Sequence, residues 1–573
     1  MIKQVSVRYF KRFKDEVFDV DGNVVLAGPN NSGKSTLLQA IAVWNLALTK
    51  WLAEKAPETG SKAKKWAGVA ITRKDFTAIP LREMKLLWTD CATSLFKEEL
   101  EAGQKLGTPR KLEIAVSARM GSHEWELPFQ FRYSSEELVY ASPSPSLLDN
   151  WAINSARELR IVHIPPFSGI GVEETRYDKA YQDLLIGQGK PGEVLRNLLW
   201  EIYKQDRDKW KRLCGDIKDI FSYELVPPQY EGKPFILCQY VPDRPVMLRE
   251  RGNPKLDISS AGSGFLQVLM LLGFFYARPA TVLLLDEPDA HLHVILQGQI
   301  YDRLREVAGQ QKAQLMIATH SEVLIDNTPA DKILTFFRRP HRLEQDWQRD
   351  QVREALKRLT SLEIVSADQS SGILYTENES DLKIMREWAS VLSHEALTFL
   401  KEPFWRPNHG RNPKEAGGHF FALKAIKPEI RGMLLLDGDN RSLSDHEVST
   451  EGLFIARWKR YEIESYLIHP AALERYILSC HGDLFNQPDP NGGREFLRGE
   501  LPPAVITNPL ADHDFLNNVA VSKTLLPRYF ERCRVSLSRG DYYLIARQML
   551  PEEIPNEVVE KLDLILAEVA TAL

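Results

Sequence analysis

Residues 28–36 read Gly-Pro-Asn-Asn-Ser-Gly-Lys-Ser-Thr, which sets Gly28, Gly33, Lys34 and Ser35 at the fixed positions of a G-x-x-x-x-G-K-[ST] phosphate loop. The residue types dictate the chemistry. Backbone N–H groups across Asn30, Asn31, Ser32 and Gly33, at the start of a helix, cradle phosphate oxygens. Lys34 reaches the β- and γ-phosphates, and the Ser35 hydroxyl, with Thr36 beside it, holds Mg²⁺. ATP is the expected ligand, although the loop alone does not separate ATP from GTP. Far downstream, Asp286-Glu287 closes the apolar run Thr281-Val-Leu-Leu-Leu. Asp286 there would organise Mg²⁺, and Glu287 would orient or deprotonate an attacking water. His320 closes another buried run, Gln314-Leu-Met-Ile-Ala-Thr.

A second group of acids follows. Glu377 ends the run Gly372-Ile-Leu-Tyr-Thr, and Asp437-Gly438-Asp439 ends Met433-Leu-Leu-Leu. Beyond a third run, Leu453 to Arg457, come Glu462 and Glu464. Carboxylates gathered at the ends of parallel strands bind Mg²⁺ through oxygen. Two such ions near one phosphate activate water and stabilise the leaving oxygen. Helical geometry would point residues 462 and 464 to different faces, so both cannot project equally into one site. Glu379 and Asp381 read as solvated helix caps. Two basic stretches, Phe404 to Lys414 and Arg457-Trp-Lys459-Arg460, have the composition of a nucleic-acid backbone contact or of a solvated face.

The elements that must position these groups are short apolar strands and amphipathic helices. Val24–Ala27 precedes the phosphate loop, and a helical run from Leu37 follows it. Residues 5–9 alternate as a strand and open a hairpin. Two further strands are expected over 111–118 and 124–133, and a mostly helical stretch over 176–222. The polar segment 54–65 reads as a surface loop. The α/β rhythm restarts after a charged linker, 345–371, with strands at 372–376, 432–436 and 453–457 and a helix over 380–392. The expected organisation is a nucleotide-binding head over 1–344, with insertions at about 50–160 and 176–225. The linker and a second α/β domain, 372–573, with a helical C-terminal region complete it.

Composition bounds the rest. The 573 residues are 43% hydrophobic and 26% charged, an ordinary globular balance that can fill large cores. A net charge of −5 excludes a uniformly basic coat but not a local basic groove. The five cysteines form no C-x-x-C pair, which argues against a zinc site or a disulfide framework and fits a reducing cytoplasm. No uncharged run is long enough to span a bilayer, so no membrane association is expected.

Ser260-Ala261-Gly262-Ser263, placed ahead of an apolar helix and between the phosphate loop and Asp286, resembles the signature motif of ABC ATPases. In that family a serine and helix N-terminal amides, here Ser260 and Gly262, bind the γ-phosphate of ATP held by the opposite subunit. His320 matches the family's switch histidine. The resemblance implies two heads closing over two ATPs, hence a homodimer or higher homo-oligomer. No glutamine is placed at the family's Q-loop, and Gln39 falls too early. His291 and His293, two residues apart, read as packing or capping groups rather than a metal pair.

The stretches Ile161-Val-His-Ile-Pro-Pro-Phe-Ser-Gly169, Glu287 to His293 and Ala318 to Asp326 resemble the AAA-labelled, ABC-type heads of the OLD (overcoming lysogenization defect) family. Glu377 followed by Asp437-x-Asp439 resembles the TOPRIM domain of topoisomerases, primases and OLD nucleases. The resemblance spans nearly the whole chain. It implies an α/β fold: an ABC-type P-loop ATPase head followed by a TOPRIM-like α/β domain. Carried over, Glu377 is the first acid, Asp437 and Asp439 are the metal pair, Glu462 or, by preference, Glu464 is a further ligand, and Lys523 matches the lysine near the scissile phosphate. The cofactors are ATP and Mg²⁺, with Mn²⁺ or Ca²⁺ as alternatives at the second site. One departure stands out: the family reads Glu-Gly at the first motif, where this chain has Glu377-Asn378. The implied activity is ATP-dependent DNA cleavage or nicking in phage defence or DNA processing, with DNA and a co-encoded defence protein as partners. The alternative is a sensor or scaffold ATPase whose TOPRIM half is inactive. A primase or topoisomerase is disfavoured, because the chain holds no zinc ribbon and no tyrosine in a strand-passage context.

Overall fold

The structure is a computed structural model. It describes residues 1–570 except 56–67, 78, 100–104, 106, 122, 145–149, 243–253, 338, 409–412, 440–450 and 481–486. Most of the expected surface loop 54–65 and the centre of the basic stretch 404–414 lie outside the described residues. The chain divides into two compact units, Met1–Leu356 and Lys357–Leu573.

In the first unit, β1 (Ile2–Phe10) and β2 (Phe13–Asp19) form an antiparallel hairpin. The chain then enters β3 (Val24–Ala27), which is wholly buried, and the 22-residue helix Lys34–Lys55. Next come β4 (Val69–Thr72), β5 (Leu112–Met120), β6 (His123–Ser135) and β7 (Leu138–Pro143). Together with the hairpin they build a six-stranded antiparallel sheet, β2-β1-β5-β6-β7-β4. The segment read as an insertion therefore supplies four of that sheet's six strands.

After β8 (Ile161–Ile164), the strands β9 (Glu224–Gln229), β10 (Leu237–Val241) and β11 (Leu256–Asp257) make a small sheet. The helix Ser263–Ala277 leads to β12 (Val282–Asp286), β13 (Gln314–Thr319), β14 (Ile333–Thr335) and β15 (His341–Arg342). The central sheet runs β15-β14-β3-β13-β12-β8 and is parallel except for β15. Strand periodicity divides its side chains between two cores. Val24, Leu26, Val282, Leu284, Met316 and Ala318 face the core that holds Trp44 and Trp51 of the phosphate-loop helix. Val25, Leu283, Leu285, Leu315 and Ile317 face the core around Leu269 and Phe274. Continuous apolar runs are what a sheet covered on both faces requires. They hold the strand ends, where the polar residues begin, in register.

In the second unit, β16 (Gly372–Thr376), β17 (Trp405–Pro407), β18 (Arg431–Leu436) and β19 (Leu453–Arg457) form a parallel sheet ordered β17-β16-β18-β19. The helices Glu379–Val391 and Pro413–Leu423 connect its strands, and the C-terminal helices pack on Trp388, Tyr466 and Tyr529. β17 falls inside the stretch read only as basic and aromatic. The expected linker is helical, Asp346–Arg358 and Ser361–Gln369, and the division between units falls within it. Thr360 and Glu363 form a capping box at the second of these helices. Among the described residues no helix is long and apolar enough to cross a membrane.

Candidate functional site

The phosphate loop turns between β3 and its helix through Asn31 at φ 60° and Gly33 at φ 113°. A Cβ on Gly33 would meet the Phe13 ring at 2.7 Å and the Arg12 side chain at 2.9 Å, so glycine is required by conformation and by space. The turn of the first hairpin thus lies against the loop. The motif's spacing gave no sign of this cover, because the contact is tertiary. Lys11, in the same turn, donates to Gln39 Oε1 at 2.6 Å, and burial pushes its ammonium down to about 8.

Lys34 Nζ donates to the carbonyls of Gly28 (2.7 Å) and Pro29 (2.8 Å), and burial lowers its pKa. Ser35 Oγ donates to Asp286 Oδ1 at 2.8 Å. Burial pushes the Asp286 carboxyl up to about 6, against the opposing pull of the Ser35 bond and the Lys34 charge. One strand, β13, separates the loop strand β3 from the Asp286 strand β12. Its end delivers His320, whose Nδ1 lies 3.7 Å from Glu287 Oε1. Glu287 takes φ 50° and donates its N–H to Ala318 O at 2.9 Å, a sharp turn straight after the strand. Left-handed backbone at a non-glycine residue costs about 1–2 kcal/mol and clusters at functional sites. Lys34, Ser35, Asp286, Glu287 and His320 therefore meet at the C-terminal ends of three neighbouring strands, the ligand side of such sheets.

Ser260 and Gly262 lie apart from this bonding network, on an exposed turn at the start of the helix Ser263–Ala277. Asp257 organises that turn by accepting from Ser259 N and Oγ, while its own carbonyl accepts from Ser260 Oγ. Arg196 holds Asp257 in turn at 2.8 Å. His293 caps the helix Val294–Gln310, as its spacing suggested.

In the second unit the acids converge at the ends of β16 and β18. Asp437 carries the largest perturbation. Burial, then the charges of Asp381, Glu377 and Glu464, push its carboxyl up to about 9, and a hydrogen bond with Glu377 adds to this. Asp437 Oδ1 also accepts from Ile463 N at 3.3 Å. Burial, Glu462 and Asp381 push Glu464 up to about 8. Glu377 and Asp437 are half-buried, so the group opens to solvent. Gly438 is required at the centre of the D-x-D turn, because a Cβ would lie 2.2 Å from Arg460 O and 2.4 Å from Trp458 O.

Two expectations change, those for Asp381 and Arg460. Asp381 is no solvated cap: it is 7% exposed, accepts from Asn378 N, and burial raises its carboxyl to about 6. The cap role is real, but the same side chain also adds its charge to the acid group. Glu462 has its oxygens taken by Ser522 N and Ser522 Oγ, leaving Glu464 as the one of the two that acts on Asp437. Arg460 is buried and spends its guanidinium on the carbonyls of Ser465, Pro509 and Ala511, so it is a brace and not a backbone contact. Asn378, which stands where the resembling family has glycine, is extended at φ −141° and caps the helix Glu379–Val391.

Asp439 is buried. Lys523 is exposed on the short helix Val521–Thr524, next to the serine that holds Glu462. Arg406 pairs with Glu363 at 2.5 Å, and Glu363 also meets His419, whose Nδ1 is hydrogen-bonded with Tyr375 OH at 2.8 Å. Among the described residues no three His, Cys, Asp or Glu side chains are gathered closely enough to hold a metal ion.

Residues 239–326 match the family described as "AAA domain, putative AbiEii toxin, Type IV TA system". That span contains the exposed signature-like turn, Asp286, Glu287 and His320, but not the phosphate loop. No curated protein matches the chain. Among solved structures, the SMC head domain from Thermotoga maritima is 13% identical with a TM-score of 0.31, covering 60% of this chain and 99% of that one. The SmcHead bound to the C-winged helix domain of ScpA is 16% identical with a TM-score of 0.34, over 58% of this chain and 94% of that one. An Smc head domain with a coiled coil and joint derived from Pyrococcus yayanosii is 12% identical with a TM-score of 0.33, over 62% and 99%. The first unit is mixed α/β, its stretch 239–326 is similar to that AAA domain, and its phosphate loop and acidic strand end lie in one site.

Proposed function

We propose that the chain is an ATP-dependent, divalent-metal-dependent DNA endonuclease or nickase, with the first unit as its ATP engine and the second as a TOPRIM-like nuclease. The observation that carries the nuclease half is the convergence of Glu377 and Asp381 after β16, Asp437 after β18 and Glu464 in the turn beyond β19. Burial, and after it mutual repulsion, pushes Asp437 far above the carboxylate range. Buried carboxylates that repel one another call for a compensating cation, and an all-oxygen donor set suits Mg²⁺ or Mn²⁺. Such an ion would supply Lewis acidity and an activated water at a phosphodiester. Within the chain, Glu377 and Asp437 are half-buried, Ile463 N donates to Asp437, and Asp381 fixes the turn after β16.

In the ATP engine, Lys34, now on loop carbonyls, would bind phosphate oxygens, Ser35 and Asp286 would hold Mg²⁺, and Glu287, with His320 alongside, would orient water. The exposed turn at Ser260 and Gly262 fits a second copy's nucleotide, which makes the working form a homodimer. A role in phage defence or DNA processing follows from the resemblance to OLD proteins, and the genes encoded nearby would test it.

A second reading is a sensor or scaffold ATPase with an inactive second unit. The absence of a gathered three-residue metal set among the described residues favours it. One experiment divides the two: purified protein with supercoiled plasmid, Mg²⁺ or Mn²⁺, with and without ATP. The nuclease reading expects nicked or linear product that disappears in Asp437→Ala. ATP turnover without cleavage, or cleavage unaffected by that substitution, supports the scaffold.

A further inference from the structure

We propose that Asn408 contacts the substrate, its carboxamide binding a phosphate oxygen of the nucleic-acid strand beside the acid group; this rests on the nuclease reading. The strand register places it. Leu374, Tyr375 and Thr376 of β16 pair in parallel with Trp405, Arg406 and Pro407 of β17. One residue further, at the C-terminal ends, Asn408 stands next to Glu377. The N–H of Asn408 donates to Thr376 O at 2.7 Å, which fixes the backbone there. β18, with Asp437, lies on the other side of β16. Asn408 therefore extends the ligand-side rim on the flank away from Asp437.

The side chain is 2% exposed, yet neither Oδ1 nor Nδ2 has a hydrogen-bond partner. Buried amides are almost always paired. An asparagine kept for a turn bonds backbone a residue or two away, and this one makes no such bond. The other polar groups at this strand end are already engaged. Trp405 Nε1 donates to Thr376 Oγ1, and Thr376 Oγ1 donates to Asn378 O, both at 2.8 Å. A leucine, branched at the same carbon, would occupy the site without stranding two polar atoms. The carboxamide is thus suited to a partner from outside the polypeptide. Beside carboxylates that repel a phosphodiester, its neutral Nδ2 supplies the donor such a ligand needs.

The test compares wild type, Asn408→Leu and Asn408→Asp in the full chain. Melting temperature, ATP turnover and plasmid cleavage with Mn²⁺ are read in parallel. Asn408→Leu is expected to melt no lower than wild type, to keep ATP turnover, and to lose cleavage at least tenfold. Asn408→Asp, close in shape but without the donor, is expected to lose cleavage while remaining folded. Cleavage within twofold of wild type in Asn408→Leu overturns the proposal. So does a fall in melting temperature in both variants, because the side chain would then be a structural brace. A wild-type protein that turns over ATP but cuts nothing withdraws the nuclease reading and the role of Asn408 with it.

Discussion

Ser35 Oγ reaches Asp286 Oδ1 at 2.8 Å although 251 positions separate them in the chain. The two halves of the proposed Mg²⁺–nucleotide site are thereby already joined in the folded protein. The bond depends on β3 and β12 lying one strand apart in the same parallel sheet, with their C-terminal ends level.

Glu287 is expected to act in turnover rather than in binding. Glu287→Gln should retain ATP binding, read by a fluorescent ATP analogue, while hydrolysis falls about 10²–10⁴-fold, the usual worth of a positioned base. Lys34→Ala should lose binding itself. Equal hydrolysis by Glu287→Gln and wild type would remove Glu287 from the chemistry.

The acid group makes the second unit's stability fall as pH rises in the absence of divalent metal. The folded pKa values of Asp437 and Glu464 stand above their unfolded values, at about 9 and about 8. The folded state therefore holds protons that the unfolded state has released. The stabilisation is fully present below about pH 4, the unfolded carboxylate range, and is lost as pH rises through 8 to 9. The melting temperature should decline over that window, Mn²⁺ should flatten the decline, and Asp437→Asn should do so without metal. A melting curve that rises from pH 6 to 9 in metal-free buffer would contradict this.

Glu462 and Glu464 should separate experimentally. Glu462 caps Ser522 through both oxygens, so Glu462→Ala is expected to destabilise by about 1–3 kcal/mol through two buried donors left unpaired. Glu464→Gln should leave stability equal or higher while cleavage drops. Chemical denaturation and plasmid nicking, measured on both variants, check the pair.

Gly438→Ala is predicted to cost about 3 kcal/mol or more, because its Cβ would fall within 2.4 Å of two backbone oxygens that cannot withdraw cheaply. Denaturant midpoints measure this. A variant as stable as wild type would mean that the Asp437–Asp439 turn is freer than its packing implies.

Oligomer formation has its own readout. If Ser260 serves a second copy, ATP turnover per chain should rise with protein concentration, and Ser260→Arg should abolish that dependence while leaving nucleotide binding intact. Turnover per chain that is constant across a hundredfold dilution, about two decades of mass action, would point to a self-sufficient head.

Local sequence was enough for whatever depends on fixed spacing along the chain. The phosphate loop, the apolar strands ending in Asp286, His320, Glu377 and Asp437, and the capping role of His293 are all written in short windows. There residue type and backbone geometry dictate the outcome with little reference to distant contacts. Tertiary structure decided what depends on packing between such windows. It made Asp381 a buried member of the acid group and turned Arg460 into a brace. It also gave Glu462 to Ser522, laid Phe13 against Gly33, and stood Asn408 beside Glu377. A side chain's burial and partners are set by which strands become neighbours, and that choice belongs to the whole core, not to any stretch of it.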